Sequence, residues 1–73
     1  MKIRYDKKVD AVYIDLARGK YHVSKKITDD IVVDLTKTGK VLGIEILDAS
    51  ETIPSFDPKK TMSGALDRQI GAQ

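Results

Sequence analysis

Val41-Leu42-Gly43-Ile44-Glu45-Ile46-Leu47-Asp48-Ala49-Ser50 is the densest apolar run in the chain. A Gly39-Lys40 turn leads into it, and Asp48-Ala49-Ser50 leads out of it. The run reads as the central strand of a small sheet, because successive side chains of a strand point to opposite faces. Leu42, Ile44 and Ile46 then share one face, with Val41, Gly43, Glu45 and Leu47 on the other. A strand apolar on both faces has to be covered twice, so what the remaining residues can cover becomes the central question.

Upstream, four segments alternate in the same way. Lys2 to Tyr5 sets Ile3 and Tyr5 against Lys2 and Arg4, and Ala11 to Ala17 sets Val12, Ile14 and Leu16 against Ala11, Tyr13 and Asp15. Asp6-Lys7-Lys8 between them is a turn, since an Asp side chain can bond its own backbone two residues on. Arg18-Gly19-Lys20 is the next break. Tyr21 to Thr28 reads as a third strand whose lysines suit a sheet edge. Asp29-Asp30 turns the chain into Ile31 to Leu35, and Gly39 supplies the left-handed residue of the hairpin that follows.

Downstream the character changes. Glu51 to Asp57 reads as a linker, and Asp57-Pro58 is a cap followed by a proline at the first helical position. Met62, Ala65, Leu66, Gln69 and Ile70 recur at helical spacing, which predicts a helix from Pro58 to Ile70. So short a helix would not persist alone, and its Met62, Leu66 and Ile70 stripe has to dock on its own sheet or on that of a second subunit. The expected organisation is an antiparallel sheet domain over 1–50, a linker over 51–57, and a helix with its tail over 58–73.

At 73 residues the chain makes one domain at most, burying roughly 60–65% of the surface its unfolded form exposes. Scaffolds of this size gain stability from disulfides, a metal or a partner subunit. With no Cys and 1 His, self-association is the route left open. No apolar run approaches the length of a membrane span, and Met1-Lys2-Ile3-Arg4-Tyr5-Asp6 lacks a signal-peptide core, so the expected compartment is the cytoplasm. The net charge of +2 hides an uneven distribution. Residues 1–26 hold eight basic and three acidic side chains (net +5), whereas residues 27–50 hold two and five (net −3).

Tyr5-Asp6, Asp10-Ala11, Tyr13-Ile14 and Leu16, then Gly39, then Gly43-Ile44-Glu45-Ile46-Leu47-Asp48-Ala49-Ser50, resemble a family of short prokaryotic proteins known as a domain of unknown function. The resemblance covers roughly residues 3–50. It implies no activity, cofactor or catalytic residue. It does imply that some members are encoded beside small toxin-like proteins, which would make them antitoxin candidates. Lys25 and Lys26 depart from the acidic character associated with that strand, and the tail after Glu51 has no counterpart.

Chemistry-bearing groups are sparse. His22 lies on the polar phase of a lysine-bearing strand without a second His or any Cys to complete a site, and reads as an exposed histidine. Glu45 and Asp48 stand three apart on a strand, hence on opposite faces, so they cannot share a cleft. A cross-strand Lys or Arg partner is expected for Glu45 and a turn-capping role for Asp48. Asp6, Asp10, Asp29 and Asp30 lack the loop of a calcium site, and the Gly-Lys pairs lack the remainder of a phosphate loop. Lys2, Arg4, Lys7, Lys8, Arg18, Lys20, Lys25 and Lys26, interleaved with Tyr5, Tyr13 and Tyr21, offer a possible nucleic-acid surface; a solvated face is the simpler reading.

The expectation is therefore an α+β, β-rich fold: an antiparallel meander of about five strands followed by one C-terminal helix. It carries no catalytic, cofactor-binding or metal residues. Tyr13, Val41, Leu47, Met62, Leu66 and Ile70 are the candidate oligomer interface, in a homo-oligomer that also meets a toxin-like partner protein. Weak nucleic-acid or small-ligand binding is the alternative.

Overall fold

Five strands form one antiparallel sheet: β1 (Lys2–Asp6), β2 (Ala11–Asp15), β3 (Val23–Thr28), β4 (Ile31–Leu35) and β5 (Val41–Ile46), followed by a short helix, α1 (Ala49–Thr52). The computed structural model describes residues 1–57. The helix expected over Pro58 to Ile70, with Met62, Leu66 and Ile70, lies outside the described residues.

The strand order is β1-β2-β5-β4-β3, which departs from the expected meander. The β2–β3 connection, residues 16–22, is the reason. It does not reverse at Arg18-Gly19-Lys20 but follows the ends of β5 and β4: the amides of Leu16 and Ala17 both donate to the Leu42 carbonyl, and that of His22 donates to Leu35 O. The chain thus reaches the far edge, and β5 returns to fill the gap between two hairpins. Its central position is as the apolar run predicts.

The turns use the expected chemistry. Asp6 accepts the Lys8 amide at 3.0 Å, Thr28 Oγ1 accepts the Asp30 amide at 3.1 Å, and Gly39 takes a φ of 88° in the Thr36–Lys40 loop. A left-handed backbone at that point suits glycine. Two register shifts break strict alternation. One, at Asp34/Leu35, sets Val41 opposite Leu35, and the other, between Lys26 and Thr28, leaves Ile27 exposed.

β5 ends at Ile46, earlier than the apolar run suggests. Asp48 stands in the left-handed region (φ 48°), and α1 occupies positions that read as strand end and linker. The next turn brings Phe56 edge-on to Tyr5, with ring centroids 5.3 Å apart. Buried apolar side chains are few among the described residues: Ala11, Val12, Leu42 and Ala49.

Candidate interaction surfaces

Paired residues of an antiparallel ladder share a face, so the registers define both surfaces. One row runs Ile3, Ile14, Ile44, Val33 and a second runs Tyr5, Val12, Ile46, Ile31. With Leu42 buried beside them, these make a nearly continuous aliphatic face, interrupted by Lys25 opposite Val33. Ile3, Ile14, Ile31, Val33, Ile44 and Ile46 are each only half-buried.

The other face is polar. Tyr13 reaches across β5 and donates to Asp34 Oδ2 on β4 at 2.7 Å; Ser24 Oγ on β3 donates to the other oxygen at 2.6 Å and pairs with the Tyr21 hydroxyl at 2.8 Å. Gly43 makes this reach possible. A Cβ there would stand 2.5 Å from the Tyr13 hydroxyl and 2.9 Å from the Ile14 carbonyl. The Arg4 guanidinium lies 4.8 Å from the Tyr13 ring centroid and holds Asp15 through Nε at 3.2 Å. Both charged side chains are largely solvated, so the pair adds little stability.

The Tyr13 phenol is pushed up to about 12, first by its bond to the Asp34 carboxylate, then by partial burial and by the charges of Asp34 and Asp15, with Arg4 opposing. The folded value lies above the unfolded one. The neutral phenol's contribution is therefore complete below pH ~10 and lost as pH rises through about 12. Phenolate absorbance should show a late-ionising tyrosine that Tyr13→Phe removes; a titration unchanged by that substitution would count against the Asp34 bond.

A second network closes the opposite corner. The Asp10 carboxylate accepts the Tyr5 hydroxyl at 2.8 Å and both the amide and hydroxyl of Ser50, while the Asp10 carbonyl accepts the Ala49 amide. Its ionised form is thereby favoured: the Ser50 hydroxyl, then Tyr5, hold its pKa below the ordinary carboxylate value. The expected capping role of Asp48 thus falls to Asp10. Asp48 occupies the cap position of α1 but makes no side-chain cap bond. Partial burial, then the nearby Asp48 carboxyl, hold the Asp30 pKa above its ordinary value.

Of the remaining candidates, Val41 is 40% exposed and Leu47 half-buried, its amide donating to Asp30 O. Glu45 lies opposite Tyr13 and Val32, and no ion pair is found for it among the described residues, contrary to the cross-strand Lys or Arg expected. His22 lines a shallow cleft of about 330 Å³ with Lys20, Tyr21, Thr36, Lys37 and Thr38. The eight basic residues of the first third are dispersed over both faces and both ends of the sheet, and the three tyrosines likewise.

The two sequence motifs thus meet twice in space: Asp10, which accepts the Tyr5 hydroxyl, holds Ser50, and Tyr13 lies over Gly43. Residues 2–50, the span containing these contacts, match the family described as a protein of unknown function, DUF2283. The chain belongs to the DUF2283 family. No curated protein and no solved structure was found to match it. In this DUF2283 chain, then, the motif residues at both corners serve the sheet itself. Sequence reasoning missed Asp34 and Ser24 as partners; the glycine inside an apolar strand was the available signal, because it marks close approach of another group.

Proposed function

We propose that this DUF2283 chain is a non-catalytic protein-interaction module that self-associates through its aliphatic sheet face, as an accessory or antitoxin-like protein of the prokaryotic cytoplasm. The single observation carrying the proposal is the row Ile3, Ile14, Ile44, Val33, which spans four strands yet stays half-exposed. A sheet needs its apolar face covered, and a contiguous patch of this kind marks an interface. A non-catalytic role is supported by the way the carboxylates are used: Asp10, Asp15 and Asp34 are each engaged in bonds that join strands or cap α1.

Sedimentation equilibrium of the full chain from about 1 to 100 μM should show a dimer, in the affinity range of non-obligate assemblies. Ile14→Thr with Val33→Thr keeps β-branched side chains in place and should weaken it by on the order of a hundredfold. A wild-type chain that stays monomeric across the range would overturn the proposal.

A further inference from the structure

The antiparallel order sorts charge along the strand axis. The connections 16–22 and 36–40 lie at one end of the sheet, and 7–10, 29–30 and 47–52 at the other. The first pair holds Arg18, Lys20, Lys37 and Lys40, with His22, and no carboxylate. Asp15 and Asp34, late in β2 and β4, are the carboxylates of that half among the described residues. Arg4 holds the first, Tyr13 and Ser24 the second, all away from the aliphatic face. The opposite connections hold Asp10, Asp29, Asp30, Asp48 and Glu51 against Lys7 and Lys8. Asp6, which caps Lys8, Glu45 near the end of β5, and Lys26, 3.9 Å from Asp29, also lie toward that end.

Sequence order alone does not show this separation, because each end draws on distant parts of the chain. The structure makes the sheet an electric dipole whose axis follows the strands. We infer that the second copy on the aliphatic face lies with its strands reversed, placing each copy's basic connections over the other's acidic ones. The two-fold axis then runs between the layers, perpendicular to the strands, and sets β5 over β5. This inference rests on the self-association proposed above and adds its orientation.

The physical argument is one of distance. Packed sheets lie about 10 Å apart, against a Debye length of about 8 Å at physiological salt and about 30 Å at ~0.01 M, so end charges in the two layers act on each other at low salt and are largely screened as salt rises. Stacking with the strands in the same direction would place four cationic side chains over four more, a juxtaposition that disfavours that arrangement. The hydrophobic contact supplies affinity in either orientation; the charges choose between them.

The wild-type chain tests this directly. Its dimer should weaken by about tenfold or more between roughly 0.02 M and 1 M salt. A dimer that strengthens with salt, or ignores it, would overturn the reversed orientation and leave face-to-face association standing. A chain monomeric at every salt would overturn both. A charge-swap pair adds a second readout: Lys20→Glu/Lys37→Glu/Lys40→Glu and Asp29→Lys/Asp30→Lys/Glu51→Lys should each dimerise about tenfold more weakly alone. Mixing them in equal amounts should restore the dimer. Circular dichroism of each variant establishes that it is folded, and two folded variants that dimerise like wild type would sink the inference.

Discussion

Replacing Gly43 with alanine should destabilise the fold by about 1–3 kcal/mol, the range for forcing extra volume into a packed site. The added methyl would stand 2.5 Å from the Tyr13 hydroxyl, 2.8 Å from the ring carbon bearing it, and 2.9 Å from the Ile14 carbonyl. The ring end can shift, but only by surrendering the 2.7 Å bond to Asp34; the carbonyl belongs to the β2 backbone and cannot shift without disturbing the ladder. A double-mutant cycle with Tyr13→Val separates the two. Removing the ring should recover part of the loss, with a coupling of about 0.5 kcal/mol or more. Strictly additive urea-denaturation free energies would show that the ring does not press on Gly43.

Asp10→Ala should produce the second large effect, a lowering of the thermal midpoint by roughly 5 °C. The carboxylate ties Tyr5 on β1 to Ser50 in α1, 40 residues away, so its loss leaves the Ser50 amide and the Tyr5 hydroxyl without their acceptor. Amide exchange should quicken at Ser50 and in α1 before it does at the centre of β5. The pH dependence has a definite sign. Because the folded pKa of Asp10 lies below its unfolded value, its contribution is present above the ordinary carboxylate pKa and lost as pH falls through the folded value. Asp10→Asn should therefore flatten the acid side of the stability profile. Asp30 acts in the opposite sense, since its raised folded pKa means that acid relieves its apposition to Asp48. An acid limb left unchanged by Asp10→Asn would remove the carboxylate from this role.

How much of this was legible beforehand depends on the range of each interaction. The strands at Ile3, Ile14, Val33 and Ile44, the Asp6 turn and the Gly39 hairpin all follow from period-two alternation and local turn chemistry, which a single sequence displays. Strand order does not. A seven-residue connection at 16–22 can reverse the chain or carry it across neighbouring strand ends, and the choice is made by Leu42 and Leu35, whose carbonyls bind it. The Asp10–Ser50 and Tyr13–Asp34 contacts were hidden for the same reason, being separated by 40 and 21 residues. Gly43 was visible as an anomaly, while the tyrosine that requires it was assigned to an open surface. Tyr13 lies on the polar face with Asp34, the register shift sets Val41 opposite Leu35, and the half-exposed aliphatic surface lies on the side of the sheet away from Tyr13.

The central place of β5 also governs the order in which the fold can be assembled. Both flanking hairpins are synthesised before the strand that joins them, and an isolated two-stranded hairpin is marginal in water. Until residue 46 is available, neither half has a neighbour to pair with, so the growing chain gains little structure piecemeal. Pairing β2 with β5 then closes a loop from Val12 to Ile46, the kind of distant contact that slows folding relative to local ones. The last strand to emerge is thus the keystone, and its arrival converts two loose ribbons into one cooperative sheet.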